Sequence, residues 1–240
     1  MSLTKIPAIV AATLGAYTTV NPPQPQVPPA ERPQTVGTYE QIFSSTSKVH
    51  AQVLRYSLCS AGLLEIAVIL ARNYPSHPFS QQILRVLVRG SAILASRARF
   101  TRSFVVGCAL ATLGGLLRMY CYRTLGRFFT FEVSIRDNHR LVTEGPYAYV
   151  RHPSYTAWIA TMIGLGICHG CPGSWMRESG LLDTVAGKTV MGLYALSISS
   201  VTIGFLRRAP LEDALLKREF GKEWEQWSKR VPYRMIPFVW

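Results

Sequence analysis

Several stretches of the chain carry apolar residues with almost no formal charge, most of them near the ~17–25 residues that a helix needs to cross a bilayer. Thr189 to Leu206 and Pro153 to Met176 contain no Asp, Glu, Lys or Arg. Ser103 to Leu117 is uncharged and then meets Arg118. An apolar run from Tyr56 to Ala71 is interrupted by Glu65, and Ile6 to Val20 is shorter and weaker. The pattern predicts helical spans over 3–20, 50–72, 103–122, 154–171 and 187–207, the first being the weakest.

Polar segments between these runs organise the chain. Lys5 ahead of Ile6 to Val20 reads as a weak anchor, because no small-residue cleavage site leads into a soluble domain. Residues Asn21 to Pro33 are proline-rich and read as an extended linker, so the first segment is expected to be separable from the rest. In Gln81 to Ala95, Arg85 and Arg89 share a helical face among Ile83, Leu84, Leu87, Ile93 and Leu94. That pattern suits a helix lying in the membrane interface. Beyond Leu206 the chain becomes charged. Pro210 suits the first turn of a new helix, and Leu211, Leu215, Phe220, Trp224 and Trp227 give that stretch an apolar face for a membrane surface or the preceding loop. Three units follow: residues 1–49 as anchor and linker, 50–122 as membrane helices with an interfacial segment, and 123–240 as a functional core.

Composition sharpens the picture. Of 240 residues, 48% are hydrophobic and 16% charged, below the roughly 25% charged of soluble domains. The expected fold is therefore all-α: a polytopic helical membrane protein with about five transmembrane helices and a C-terminal amphipathic helix. A net charge of +13 raises the question of nucleic acid. The basic residues lie between the apolar runs, however, which points to anionic lipid headgroups and no nucleic-acid partner. The 73–102 and 123–153 loops are both Arg-rich although one span separates them, so the basic-loop rule gives no orientation. The five cysteines sit mostly in apolar runs. Cys168-His169-Gly170-Cys171 lacks a second ligand set, so no metal site is expected.

Three polar clusters carry the candidate chemistry: His139 to Val142, the run Gly145 to Tyr155, and Arg207 to Asp213. The last two flank a hairpin of spans 154–171 and 187–207, which brings its outer ends to one membrane face, so His152 and Arg208 should meet. Polar side chains at a helix mouth are costly to keep without a partner. Taken singly, each cluster could be a juxtamembrane charge group, with Arg208 and Glu212 an i,i+4 surface pair.

The ordered combination resembles the isoprenylcysteine carboxyl methyltransferases and their bacterial relatives. The residues that carry it are His139-Arg140-Leu141-Val142-Thr143-Glu144-Gly145-Pro146-Tyr147, then Arg151-His152-Pro153-Ser154-Tyr155. Arg208, Glu212-Asp213, Leu216, Phe220-Gly221, Val231-Pro232 and Ile236-Pro237 continue it. The resemblance spans roughly residues 125–240. It implies S-adenosylmethionine as cofactor, held at the membrane surface by His139, Arg140, Leu141, Val142, Tyr147, His152, Pro153, Ser154, Tyr155 and Glu212. It also implies Arg208 as the substrate-contacting arginine, with Arg208 and Glu212 as the catalytic pair. A prenylated protein C-terminus or a lipid-like molecule would be the substrate, and the endoplasmic reticulum membrane the location, with the site facing the cytosol. Two positions depart from the family pattern: Asp213 stands where a second glutamate is usual, and Glu132 where a glutamine is usual.

The residue types suit methyl transfer. A sulfonium donor reacts by in-line displacement, so positioning and water exclusion supply the rate. A carboxylate acceptor is already ionised near pH 7 and needs a cation to orient it rather than a base. Two other readings use related membrane cores. The tail from Phe220 to Pro237 is similar to the end of NADPH-dependent sterol reductases, although Thr156-Ala157 replaces their Gly-Asp. A phospholipid N-methyltransferase would share the cofactor but must deprotonate its amine. A non-catalytic lipid-binding or scaffold protein is a further alternative.

Overall fold

The apolar runs fold as helices that lie side by side and alternate in direction. The computed structural model describes residues 3–25, 38–88, 100–132, 134 and 137–239. The longer elements are α1 (Lys5–Val20), α2 (Thr38–Asn73), α3 (Pro78–Leu87) and α4 (Arg102–Leu125). They are followed by α5 (Pro153–Gly170), the short α6 (Trp175–Glu178), α7 (Val185–Phe220) and α8 (Lys222–Arg230). Among the described residues the fold is all-α, with 3₁₀ turns and no strand. Among the described residues, three segments are long and apolar enough to cross a membrane: Val49–Asn73, Arg102–Phe128 and Val185–Phe220.

In a membrane the hydrophobic effect does little to bring helices together, so small residues and polar pins must do it. At the α4–α5 contact, a Cβ on Gly107 would lie 2.5 Å from the Cys168 backbone nitrogen. One on Gly114 would lie 2.7 Å from the Thr161 nitrogen. The two backbones touch, and only glycine permits it. The Thr161 and Thr19 hydroxyls sit 3.1 Å apart and bind α5 to α1. Around this contact Ile9, Ala12 and Ala16 of α1 pack with Leu54 and Leu58 of α2, Phe104 and Ala111 of α4, and Trp158 and Met162 of α5.

One end of the helical layer is closed by charge. Lys5 is fully buried and donates to Glu65 Oε1 at 2.7 Å and to the Gly173 carbonyl at 3.0 Å. His169 Nδ1 stands 3.5 Å from Glu65 Oε2, and the Lys5 ammonium lies 4.2 Å above the Phe104 ring. These contacts correct the expectation of a separable first segment. Lys5 reads as a flanking charge in sequence but is the pin that fastens α1 to α2 and α5.

Other expectations change as well. The second span, Val49–Asn73, matches the expected 50–72, but its helix starts earlier, at Thr38, because the polar turn through Glu40 and Ser44 stays helical and docks on α7. Pro210 does not open a new helix. It lies inside the continuous 36-residue α7, so Glu212 sits in mid-helix, away from any helix N-terminus. The break comes instead at Gly221, whose φ of 50° lies in the left-handed region. Of the interfacial segment 81–95, the described part is α3, which ends at Leu87. Arg89, Ile93 and Leu94 lie outside the described residues. Trp227 of α8 is buried and packs on the loop, one of the two surfaces expected for that apolar face.

Candidate active site

The opposite end of the layer is open, and the chain builds a cavity there from distant segments. The turn Gly145–Ala148 starts at a φ of 59°, with Thr124 Oγ1 only 3.1 Å and Tyr120 OH only 3.2 Å from where a Cβ would sit. A side chain at 145 would be strained by the conformation and would press on those two side chains. The Tyr147 carbonyl accepts from Trp227 Nε1 at 3.2 Å, which fastens the turn to α8. The C-terminal tail holds the next residues. Arg151 N donates to the Tyr233 carbonyl (3.0 Å) and His152 N to the Arg234 carbonyl (2.7 Å), while Thr156 Oγ1 donates to the Met235 carbonyl (2.6 Å). Motifs some 80 residues apart in sequence are thus one local structure.

His152 precedes α5, and its ring lies between two carboxylates. Nδ1 is 3.3 Å from Glu212 Oε2, and Nε2 is 3.1 Å from Asp213 Oδ1. Burial alone would lower its pKa, but hydrogen bonding and charge attraction from Asp213 and Glu212 prevail and hold it above the ordinary histidine value. Tyr155 OH donates to Glu212 Oε1 at 2.6 Å, so both oxygens of that carboxylate are placed. Asp213 is also held by Arg151 (2.9 Å) and Arg234 (3.1 Å).

Arg208 is buried and heavily engaged. It bonds Glu40 Oε1 at 2.6 Å, donates to the Phe131 carbonyl, and approaches Ser44 Oγ at 3.4 Å. Its Nε lies 3.5 Å from Glu212 Oε1, too far for a good hydrogen bond, and is left without a hydrogen-bond partner. Arg118 of α4 is buried too. It donates to the Ser154 carbonyl and hydroxyl at 2.7 and 2.6 Å and to Tyr122 OH at 3.0 Å.

These side chains surround a cavity of about 1340 Å³ including its open mouth. Its walls are largely aromatic. Phe128 stacks on His139 at 4.6 Å, Phe205 stacks on Tyr155 at 4.4 Å, and Phe129, Phe131 and Trp158 complete them. Burial lowers the pKa of His139, against the pull of Glu219, and raises that of Tyr147 well above the phenol range.

Residues 105–169 match the Isoprenylcysteine carboxyl methyltransferase (ICMT) family. That segment runs from α4 through the Gly145 turn to the end of α5. The chain is 31% identical over 135 residues to protein-S-isoprenylcysteine O-methyltransferase B of Arabidopsis thaliana, covering 55% of this chain and 58% of that protein. It is 31% identical over 137 residues to the Homo sapiens protein-S-isoprenylcysteine O-methyltransferase, covering 56% and 41%. Protein-S-isoprenylcysteine O-methyltransferase A of Arabidopsis thaliana is 27% identical over 214 residues, 83% of this chain and 98% of that protein. The chain spans about three fifths or less of the length of the first of these relatives. No solved structure matches it significantly.

Of the residues expected at the site, His139, Arg140, Leu141, Val142, Tyr147, His152, Ser154, Tyr155, Arg208 and Glu212 all line the cavity. Pro153 does not; it is the first residue of α5 and is buried behind the wall. Asp213 stands behind His152, and Glu132 lines a neighbouring groove beside Arg55. Among the described residues, no group of three His, Cys, Asp or Glu is placed to hold a metal ion.

Sequence reasoning missed three features. Glu40 sits in a stretch assigned to anchor and linker, and nothing local marks a carboxylate whose partner is 168 residues away. The run Phe128-Phe129-Thr130-Phe131 falls between the motif blocks. Arg118 did leave a signal, as a formal charge ending an uncharged run.

Proposed function

We propose that the chain is an integral-membrane, S-adenosylmethionine-dependent O-methyltransferase that esterifies the C-terminal prenylcysteine carboxylate of prenylated proteins. We place it in the endoplasmic reticulum membrane with the cavity toward the cytosol. The observation that carries this reading is one aromatic cavity lined by a fixed carboxylate, Glu212, and by an arginine, Arg208, with an unused buried N–H. Relatives of the family carry that activity in their names.

The residues fit the cofactor. Stacked aromatic faces suit a purine and a sulfonium. Bound there, S-adenosylmethionine would supply a methyl group whose carbon–sulfur bond breaks as the acceptor oxygen bonds to carbon, leaving an ester and a neutral thioether.

The protein's part is positioning. Glu212, held by Tyr155 and His152, presents a negative charge to the cationic donor. Arg208 offers Nε–H to the acceptor while Glu40 balances much of its charge. Balanced in this way, it orients the carboxylate without greatly lowering its nucleophilicity. The acceptor is ionised at neutral pH, so no general base is required. His139, Arg140, Leu141, Val142, Tyr147 and Ser154 form the rest of the donor pocket, and the apolar walls exclude water.

Membranes containing the chain should transfer radiolabel from S-adenosylmethionine to a farnesylcysteine analogue, as a base-labile ester. They should neither methylate phosphatidylethanolamine nor oxidise NADPH with a sterol. Label in the phospholipid instead would replace the acid acceptor with an amine. Absence of cofactor binding at millimolar concentration would end the methyltransferase reading.

A further inference from the structure

The site holds two buried arginines, and they differ in electrostatic balance. Arg208 has Glu40 at 2.6 Å and Glu212 at 3.5 Å. Arg118 is 2% exposed and lines the same cavity, yet among the described residues it has no carboxylate partner. Its hydrogen bonds go to the neutral groups of Ser154 and Tyr122, and its guanidinium lies 5.2 to 6.0 Å from the ring centres of Phe129, Phe131, Tyr122 and Phe205. Aromatic faces and one carbonyl offset only part of the cost of burying a full charge. A buried cation at the wall of a binding cavity, caged and oriented but not neutralised, is arranged for an anion that arrives with a ligand.

We propose that Arg118 is a carboxylate-docking residue of this cavity. The inference rests on the methyltransferase reading, in which two ligands bring a carboxylate: the amino-acid end of the donor, and the acceptor. With Nη1 held by Ser154 and Nε by Tyr122, the planar guanidinium keeps Nη2 for a carboxylate oxygen, which also makes Ser154 and Tyr122 positioning residues for that arginine. The ordinary alternative is that Arg118 only fastens α4 to the first turn of α5.

The wild-type protein provides the first test, in detergent, by calorimetry with S-adenosylmethionine and with its decarboxylated analogue, which keeps the sulfonium and lacks the acid. If the donor carboxylate docks on Arg118, the parent cofactor binds about 10- to 100-fold more tightly than the analogue, and Arg118→Gln abolishes that preference. If the acceptor docks there, the two donors bind alike, and Arg118→Gln or Arg118→Lys raises KM for the farnesylcysteine analogue by a similar factor with donor affinity unchanged. Arg118→Lys keeps the charge should the glutamine variant not fold. Equal donor affinities in the wild type, together with an unchanged acceptor KM in Arg118→Lys, overturn the proposal. Such a result leaves the methyltransferase reading intact, whereas failure of the wild-type protein to bind either donor refutes both.

Discussion

The two ends of the helical layer both bury charge, and they do so to different effect. At the closed end Lys5 and Glu65 balance one another's charge, with His169 3.5 Å from the second Glu65 oxygen, and none of them lines the cavity. At the open end His152, Glu212 and Arg208 also pair, but around a cavity, and among the described residues Arg118 has no carboxylate partner. Buried ionisable residues in a membrane protein are a sign of function by default. The comparison narrows that rule: a closed cluster joins helices, and a cluster with a cavity and a charge imbalance awaits a ligand.

The largest expected effect breaks the closed end. Lys5→Met leaves Glu65 as a buried charge with only His169 nearby, so stability should fall by about 3–5 kcal/mol. The unfolding midpoint in detergent reads this directly. Adding Glu65→Leu should recover much of the loss, because no uncompensated charge then remains. If Lys5→Met instead abolished cofactor binding in a protein of normal stability, the closed end would have to count as part of the site.

Between the two ends, the α4–α5 contact should tolerate nothing larger than glycine. Gly164→Ala places a methyl against the Ala111 nitrogen and the Gly107 carbonyl, an overpacking cost of about 1–3 kcal/mol. Gly192→Ala, on the outward part of α7 with open space around it, should be neutral or slightly stabilising within about 1 kcal/mol. Equal unfolding midpoints for the two variants would contradict the close packing.

At the open end the expected losses are functional. Arg208→Lys retains the charge for Glu40 but loses Nε–H and the planar fork. Methyl transfer should drop at least about tenfold, or about 1.4 kcal/mol of transition-state stabilisation, with cofactor affinity little changed. Glu212→Gln should weaken cofactor binding as well as turnover. An exposed ion pair worth under about 1 kcal/mol would leave both variants nearly wild-type.

The smallest effect is a pH dependence. His152 has a folded pKa raised by Asp213 and Glu212 in spite of burial. Its ionic contribution is therefore complete below the unfolded value of about 6.5 and is lost as pH rises through the raised folded value. Unfolding midpoints should decline over that interval in the wild type and less so in His152→Gln. A midpoint that rises through neutral pH because of His152 would show that the ring is held neutral.

Much of this was legible locally. The helical runs and the turn at Gly145 follow from apolar length and local backbone preference, which neighbouring residues suffice to encode. The convergence of His152 with Arg208 followed from hairpin geometry alone. The Lys5 pin, the Glu40 partner of Arg208 and the hold of the tail on His152 were not legible, because each joins residues more than 50 positions apart. Pro210 misled because its helix-starting preference is weaker than the packing that keeps α7 continuous.

By itself, then, the sequence determined an all-helical membrane chain, the segments that form helices, and the polar residues available for chemistry. These are properties of composition, period and local turns. Only the tertiary structure decided which charges neutralise one another and which face the cavity. Arg118 and Arg208 are the same residue type, both at the polar margins of apolar runs. What separates them is that α2 brings a carboxylate to one and aromatic rings surround the other. The electrostatic role of a buried charge depends on its neighbours in space, and those neighbours come from every part of the chain.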